Sequence, residues 1–375
     1  MEMINLMIKI LHYIPAFDKG GIESLVMSLY KNIDHNNFQF YFLVENDISN
    51  TYKELISSYG GKVFIIPKMT HITKILKYFS ELKSIFKNNS FDVFHCHSWE
   101  TRPLPLMYAK RYNVKLIITH AHFVKFNTYK WGLVKKIFQN YGVLLSDVRL
   151  ACSEEAATAV FGSKDYYVIN NGIDLEHYKF NPNVRKLYRK NNGINDKCIV
   201  YINVGRLTKL KNQKFLIEVF KNIHEKNKNT RLYIIGDGED KEELNLRIND
   251  YKLNSCVFIL DDVFDVSNYL TMSDVFLFPS ISEGLGIAYI EAQANQLYCF
   301  VSDGVPKNVT VLNTSEVIGL DKSADEWAEI ICNVKLKNRS CDMNKVKLLD
   351  KYSIQSITQE YQNILLKELD LKERS

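Results

Sequence analysis

Short apolar segments that alternate with amphipathic helical patterns are the feature that most constrains the fold of this 375-residue chain. The first helical pattern places Ile22, Leu25, Val26, Leu29 and Ile33 on one face. Strands that alternate with helices in this way form parallel sheets with helices on both faces. In residues 1–172 the predicted strands are Lys9–Tyr13, Phe38–Val44, Lys62–Ile66, Asp92–His95, Lys115–Thr119, Val148–Ala151 and Tyr167–Ile169.

The same pattern restarts after a polar stretch at residues 176–197. A single hydrophobic core rarely extends over a chain of this length, so the restart indicates a second domain. We therefore predict an α/β fold with two Rossmann-like domains, residues 1–172 and 173–352. A helix at 353–375 follows, and its periodicity leaves open which domain it packs on. In the second domain the predicted strands are Cys198–Val204, Arg231–Ile235, Cys256–Leu260, Val275–Phe278 and Tyr298–Val301.

Composition and charge exclude several classes of protein. The chain is 46% hydrophobic and 24% charged, which is typical of a folded globular protein rather than a disordered one. Its net charge of +5 suits anionic substrates or a membrane surface but is too small to indicate nucleic acid. Seven scattered cysteines without a C-x-x-C pair fit reduced thiols. No apolar run is long enough to span a bilayer, so we predict a cytoplasmic protein.

Ligands of open parallel sheets bind beyond the carboxyl ends of the strands, so the loops there carry the candidate sites. Gly20 and Gly21 follow the first strand and precede a helix, whose N-terminal N–H groups favour an anion. A simple tight turn explains the pair equally well. The absence of G-x-G-x-x-G disfavours a nicotinamide dinucleotide.

Two histidine pairs follow later strands of the first domain. We interpret His120 and His122 as substrate contacts, and His95 and His97 as polar residues at the rim of the sheet. A metal site would need the pairs to converge with a further ligand, and no third ligand is evident at a suitable spacing.

Basic residues and glycines follow the first two strands of the second domain. Arg206 and Lys211 bracket a turn and suit a diphosphate, although a solvated basic loop is the alternative. Gly236, Asp237 and Gly238 form a glycine turn at the same edge, and they indicate either a nucleotide contact or turn chemistry alone.

The strongest motif follows the strand that ends at Phe278. Backbone N–H groups of Gly284, Leu285 and Gly286 can hold a phosphate at the start of a helix. Glu283 and Glu291 lie beside this anion site, where carboxylates are suited to accept hydrogen bonds from sugar hydroxyls. A helix cap and an exposed glutamate would not require this combination of glycines and carboxylates.

Taken together, these motifs resemble the retaining family 4 glycosyltransferases with the GT-B fold over nearly the whole chain. Three further segments, 151–153, 303–307 and 325–327, resemble the subgroup that builds bacterial capsule and exopolysaccharide repeat units. The motifs are specific for the family and not for the sugar. The matching motifs are Gly20-Gly21-Ile22-Glu23, Asn171-Gly172-Ile173-Asp174, Gly205-Arg206-Leu207 with Lys211-Asn212, Gly236-Asp237-Gly238, and the E-x7-E pair Glu283 and Glu291.

The resemblance implies an activity and a role for each motif. The two domains would face each other across a cleft, and the enzyme would transfer a sugar from a nucleotide-sugar, a UDP-sugar, with retention of configuration. Arg206 and Lys211 would hold the diphosphate, Glu283 the sugar hydroxyls and Glu291 the ribose. His120 or His122 would lie near the sugar and the acceptor. The family is typically metal-independent, so we expect neither a cofactor nor a metal.

Some residues depart from the family pattern. Asp261 and Val263 stand where the family has a glycine and then a basic residue, in the loop that normally contacts the base. Gly286 replaces a common proline, and residues 296–298 replace a glycine-containing turn. The nucleotide region is therefore expected at Gly236, Asp237, Gly238 and Val263, with the identity of the base open.

Two Lys-rich amphipathic helices, 72–87 and 129–141, lie in the first domain. Either alone is explained by an apolar stripe facing the core and a solvated basic face. Together they predict peripheral binding to the anionic inner face of the plasma membrane, with a saccharide or polyprenyl-diphosphate-linked saccharide as acceptor. Two alternatives remain open from sequence: a sugar-nucleotide epimerase, and a non-catalytic partner subunit of a glycosyltransferase.

Overall fold

The computed structural model describes residues 7–15, 17, 21–98, 103–122, 132–261, 263, 265–336, 339 and 343–374. The chain divides into two compact units. The first comprises residues 1–172 together with 354–375, and the second comprises residues 173–353. Both units are parallel-sheet α/β structures of the Rossmann type, so the predicted fold class is confirmed.

The first unit is built on a seven-stranded parallel sheet. Its elements, in chain order, are β1 (Ile8–Tyr13), α1 (Gly21–Asn32), β2 (Phe38–Val44), α2 (Asn50–Ser58), β3 (Lys62–Ile65), α3 (Ile72–Asn88), β4 (Val93–Cys96), α4 (Leu104–Arg111), β5 (Leu116–Ala121), α5 (Gly132–Leu145), β6 (Val148–Ala151), α6 (Glu154–Phe161) and β7 (Tyr167–Val168). The strand order is β3-β2-β1-β4-β5-β6-β7. The order reverses between β1 and β4, which is the position where sheets of this kind bind ligands.

The second unit contains a six-stranded parallel sheet in the order β10-β9-β8-β11-β12-β13, which reverses between β8 and β11. Its elements are α7 (Pro182–Asn191), β8 (Ile199–Val204), α8 (Gln213–Lys226), β9 (Thr230–Ile235), α9 (Lys241–Asp250), β10 (Val257–Leu260), α10 (Val266–Met272), β11 (Val275–Phe278), α11 (Ile287–Ala294), β12 (Tyr298–Ser302), β13 (Ser315–Ile318), α12 (Ala324–Asn333) and α13 (Met343–Lys347). The sequence prediction missed β13.

Each sheet is covered on both faces, so its central strands are largely apolar, as expected of parallel strands. In β1, Ile10 packs with α1 on one face, and Leu11 and Tyr13 pack with α3 on the other. In the second unit, Val200 and Ile202 of β8 face one core and Tyr201 faces the other.

The last helix, α14 (Ile354–Arg374), belongs to the first unit. Its buried face includes Ile357, Tyr361 and Leu365, which join the core beneath α1. Gly172 accommodates the start of this helix, since an added Cβ would lie 2.9 Å from the Cα of Ile354. The structure therefore resolves the choice that periodicity left open.

Candidate functional site

The reversal of strand order in the second unit brings the loops after β8 and β11 to the same edge of the sheet. The loop after β11 lies against the loop after β8, where the Ile281 N–H donates to the Leu210 carbonyl at 2.8 Å. The Glu283 N–H donates to the Gly304 carbonyl at 3.1 Å, which fixes the backbone on its other side. The candidate residues from three separate motifs are thus held in one place.

A direct ion pair joins two of these motifs. The Lys211 ammonium donates to both carboxylate oxygens of Glu283, at 2.6 and 2.7 Å. The Lys211 nitrogen also lies 5.3 Å from the centre of the Phe278 ring. The Glu283 side chain is only 7% exposed, so its charge needs this partner. Sequence reasoning gave the two residues separate roles and missed their contact.

The turn before α11 is shaped for an anion. Gly286 is left-handed, with φ of 74°, and stands at the N-terminal boundary of α11. N–H groups in the first turn of a helix have no intrahelical acceptor, and the helix dipole favours negative charge there. Leu285 is buried beside Gly284, and Arg206 is exposed on the neighbouring loop. Gly284, Leu285 and Gly286 therefore directly follow Glu283, and Arg206 lies on the loop that carries Lys211.

Glu291 lies on α11 and is mostly buried. Burial raises the pKa of its carboxyl from the ordinary 4.5 to about 7, against the opposing effects of a hydrogen bond from Tyr178 and the nearby His177. His177 pairs with Asp265 at 3.1 Å. A carboxyl group with this pKa changes charge near neutral pH, which is a property of functional sites.

The glycines after β9 are explained by close contact between two loops. An added Cβ at Gly236 would lie 2.1 Å from the Gly205 carbonyl oxygen, and one at Gly238 would lie 2.3 Å from the Leu207 carbonyl oxygen. The Asp237 carbonyl accepts from the Leu207 N–H at 2.9 Å. This geometry accounts for the glycines through turn chemistry, and their contact with a nucleotide stays a prediction.

The loop after β10 carries the departures from the family pattern. Asp261 forms an ion pair with Lys241, which also lies 3.8 Å from the Asp237 carboxylate. Val263 is partly buried against the core of the second unit. The acidic residue at position 261 is therefore neutralised by a lysine from α9.

In the first unit, five histidines gather at the carboxyl ends of the three strands β1, β4 and β5. The ring nitrogens form two chains: His12 Nδ1 to His97 Nε2 at 3.1 Å and His97 Nδ1 to His122 Nε2 at 2.9 Å, and His95 Nε2 to His120 Nδ1 at 3.3 Å. We call these five residues the histidine cluster. The two pairs that the sequence treated separately are one group.

His12 is the member of the cluster that sequence reasoning missed. It lies in an apolar run and resembles a core residue, but the pairing of β1 with β4 places it directly beside His95. Sequence spacing does not reveal a third ligand, because His12 and His95 are 83 positions apart and meet only through this strand pairing. Together, His12, His95 and His97 form one group of potential metal ligands.

The histidine cluster is electrically neutral at physiological pH. Burial lowers the pKa of His12 and of His122 to about 3, and it places those of His95, His97 and His120 well below the ordinary value. His120 is 1% exposed, whereas His122 is partly exposed.

Gly20 lies outside the described residues, and Gly21 is the first residue of α1.

Apolar side chains are exposed on both predicted basic helices. Ile72 and Leu76 of α3 are 71% and 66% exposed, so the buried stripe of this helix is narrower than predicted. In α5, Ile137 and Leu144 are also exposed. The predicted segment at 129–131 lies outside the described residues. Within the part of the chain that the structure describes, no helix has the length and hydropathy to cross a membrane.

Comparison with known proteins identifies the family of each half. Residues 19–177 match the family described as Glycosyltransferase Family 4, and residues 184–345 match Glycosyl transferases group 1. The fold is similar to that of Anabaena Alr3699/HepE crystallised with UDP and glucose, with a TM-score of 0.76 and 16% identity. That alignment covers 96% of this chain and 100% of the other.

Two bacterial relatives cover most of the sequence. The putative glycosyltransferase EpsF of Bacillus subtilis (strain 168) is 26% identical over 340 residues, which is 88% of each chain. The UDP-Gal:alpha-D-GlcNAc-diphosphoundecaprenol alpha-1,3-galactosyltransferase of Escherichia coli is 30% identical over 271 residues. This second match covers 67% of the present chain and 69% of the relative. The matches favour a transferase over the epimerase that the sequence left open. The chain therefore belongs to the GT-B glycosyltransferases of the group 1 and family 4 type.

Proposed function

We propose that this glycosyltransferase moves a sugar from a UDP-sugar to a polyprenyl-diphosphate-linked saccharide, with retention of configuration, in the assembly of a bacterial surface polysaccharide. The observation that carries the proposal is the Lys211–Glu283 ion pair beside the amide-rich turn before α11. A lysine at a helix N-terminus is suited to a diphosphate, and the glutamate beside it is suited to neutral hydroxyls.

Donor binding would exchange the partners of this pair. The diphosphate would take the Lys211 ammonium, with Arg206 and the N–H groups of Gly284, Leu285 and Gly286 as further donors. Glu283 would then accept hydrogen bonds from hydroxyls of the donor sugar. The cations and the dipole of α11 would neutralise the leaving group, so no metal ion is needed at the diphosphate.

The remaining donor contacts come from α11 and the loops beside it. Glu291, held by Tyr178, would accept hydrogen bonds from the ribose hydroxyls. Gly236, Asp237, Gly238 and Val263 would lie towards the nucleotide. The Anabaena structure with UDP and glucose supports uracil as the base.

In the proposed reaction, the bond between the anomeric carbon and the diphosphate oxygen breaks as an oxocarbenium-like state forms. The acceptor hydroxyl attacks the same face, which retains the configuration, and its proton passes to the departing phosphate oxygen. Of the two histidine candidates, His122 is the partly exposed one and is therefore the candidate for substrate contact.

The acceptor is inferred from two separate observations. The Escherichia coli relative is described as acting on a diphosphoundecaprenol-linked sugar. In the present chain, exposed Ile72 and Leu76 stand beside the exposed lysines of α3. This combination suits the interface of an anionic membrane, where such acceptors reside.

Measuring free UDP after incubation with UDP-sugars and an acceptor tests the catalytic proposal directly. Each of Lys211→Met and Glu283→Gln should lower kcat/KM about 10- to 100-fold, because each removes charge-assisted hydrogen bonds to the donor. Lys221→Met and Glu225→Gln are matched controls, since they alter an exposed ion pair of α8 at 3.7 Å. Equal turnover in all four variants would refute the proposed roles.

The same preparation separates the alternatives. Thermal stabilisation by UDP-sugars over GDP- and ADP-sugars would support the base assignment, because a ligand that binds only the native state raises the unfolding midpoint. Conversion of the donor without UDP release would indicate epimerisation, and no reaction would indicate a non-catalytic subunit. The anomeric configuration of the product, measured by NMR, tests retention.

Vesicle sedimentation tests the membrane proposal. The double variant Ile72→Glu and Leu76→Glu should lose binding to vesicles that contain anionic lipid, because it removes the exposed apolar side chains of α3. Leu246→Glu, at an exposed apolar position of α9, is the control and should leave binding unchanged. Equal sedimentation of all variants would contradict membrane docking through α3.

A further inference from the structure

The histidine cluster contains a second group of potential ligands, His97, His120 and His122. One ring nitrogen of each lies within 4.8 Å of those of the other two. The group combines the ends of the neighbouring strands β4 and β5, and β4 lies at the reversal of order in the first unit.

The hydrogen bonds of these histidines leave one ring nitrogen of each on the side of the group. His97 uses Nε2 towards His12, and its Nδ1 pairs with His122 Nε2 in a bond that a metal ion would replace. His120 uses Nδ1 towards His95, which leaves Nε2. Among the described residues, this Nε2 is buried without a hydrogen-bond partner. A buried polar atom without a partner costs free energy, so its presence here calls for a ligand.

We propose that His97, His120 and His122 bind a divalent transition-metal ion of the zinc class. Three imidazoles and no carboxylate favour zinc, cobalt or nickel over magnesium or manganese. In a tetrahedral site, zinc–nitrogen bonds of about 2.0–2.1 Å place neighbouring nitrogens about 3.4 Å apart. The 2.9 Å between His97 Nδ1 and His122 Nε2 is within a small adjustment of that spacing.

The outer hydrogen bonds orient these ligands. The Tyr361 hydroxyl oxygen lies 2.8 Å from His95 Nδ1, and His95 Nε2 lies 3.3 Å from His120 Nδ1. When His95 Nδ1–H donates to the Tyr361 hydroxyl oxygen and His120 Nδ1–H donates to His95 Nε2, His120 presents a lone pair at Nε2. Such outer partners set the tautomer and the ring orientation of metal-bound histidines. Tyr361 and His95 are therefore positioning residues.

The deeper group, His12, His95 and His97, is a poorer site. Binding there would break one of the two hydrogen bonds of His95, to Tyr361 or to His120, and with it the chain that orients His120. All three residues are buried, whereas His122 is partly exposed and offers a route of entry.

Three protein ligands leave the fourth position of the ion for water or an anionic oxygen. The site belongs to the first unit, and the proposed diphosphate contacts belong to the second. The inference leaves the proposed neutralisation of the diphosphate by Lys211 and Arg206 unchanged, and it shares His122 with the proposed substrate contact.

Metal binding by the full chain tests the inference without any measurement of activity. After treatment with a chelator, the protein is titrated with Zn²⁺ by calorimetry and with Co²⁺ by absorption spectroscopy. We expect a single ion per chain and the ligand-field bands of tetrahedral cobalt. His122→Gln and His120→Gln should each weaken binding at least about 100-fold, and Tyr361→Phe about 10-fold.

His71→Gln is the control, because His71 is exposed at the start of α3 and lies outside the histidine cluster. Folding of each variant is checked by circular dichroism, and the partly exposed His122 keeps the test decisive if His120→Gln unfolds. No binding by the folded wild-type chain would overturn the inference. Loss of binding in His12→Gln but not in His122→Gln would also overturn it, because the ion would then occupy the deeper group.

Discussion

The carboxyl group of Glu291 predicts a pH dependence of donor binding. On the proposed function, its ionised form accepts hydrogen bonds from the ribose hydroxyls, and the protonated form accepts them less well. Burial raises its pKa to about 7, so the binding-competent form is lost as the pH falls through neutrality. The perturbations are a change of pH and the substitution Glu291→Gln.

The magnitude follows from the fraction of ionised carboxyl. With a pKa of about 7, roughly nine tenths of the groups are ionised at pH 8 and roughly one tenth at pH 6. The dissociation constant of the donor should therefore be about 10-fold larger at pH 6 than at pH 8. Glu291→Gln should bind the donor weakly at both values and should show no such slope.

The assay is calorimetric titration with UDP-glucose between pH 6 and pH 8. This ligand suits the measurement because its diphosphate is esterified at both ends and does not change charge in the range. His177 lies near Glu291 and pairs with Asp265, so His177→Gln is the control for this neighbouring side chain. The His177→Gln variant should keep the slope.

Stability provides an independent check of the same group. The pKa of this carboxyl group is higher in the folded state than in the unfolded state. The free energy of unfolding therefore falls as the pH rises from 4.5 to about 7, and this loss stays constant above pH 7. A rise of this size corresponds to about 3 kcal/mol. Glu291→Gln should therefore unfold at higher urea than wild type at pH 8, with the difference vanishing near pH 4.5. A flat binding profile in wild type, or a slope that survives in Glu291→Gln, would refute the reasoning.

Three further substitutions and one control, Gly284→Ala, test the architecture by denaturant unfolding. Gly236→Ala should destabilise the chain by about 3 kcal/mol, because φ is 147° and the added Cβ would meet a carbonyl oxygen at 2.1 Å, whereas Gly284→Ala should be near neutral, with no atom within 4 Å. Tyr361→Phe should cost about 1–2 kcal/mol, since the hydroxyl bonded to His95 Nδ1 at 2.8 Å is lost. Ser323→Ala should cost about 1 kcal/mol by removing the capping box of α12.

Each of these expectations has an outcome that contradicts it. Equal stability of Gly236→Ala and Gly284→Ala would mean that the two loops are not in close contact. An unchanged midpoint for Tyr361→Phe would mean that its bond to His95 contributes nothing. A loss of stability in Ser323→Ala that occurs only at high salt would indicate a cause other than the removed capping box of α12.

Periodicity and motifs predicted the sheets and the loops that carry the candidate site, because parallel strands are apolar on both faces and their loops hold the polar residues. The strand β13 was missed because Glu316 and Val317 at its centre are exposed, so no apolar run marks it. The docking of α14 could not be predicted, since an apolar stripe does not specify its partner.

Contacts between motifs that are distant in the chain could not be predicted from the sequence. Lys211 and Glu283 are 72 positions apart, and only the adjacency of β8 and β11 brings them together. His12 and His95 likewise meet through the pairing of β1 with β4. Residue type and spacing gave the chemistry of each loop, whereas strand order decides which loops act together.

The return of α14 to the first unit has a consequence for biosynthesis. The second unit is one continuous segment and has all of its core once residue 353 has left the ribosome. The first unit must wait for Ile357, Tyr361 and Leu365, which arrive only after the second unit has been translated. The usual order, in which the amino-terminal domain matures first, would then be reversed. A stop codon shortly after residue 353 would leave the earlier-made half exposing an apolar groove to chaperones and proteases.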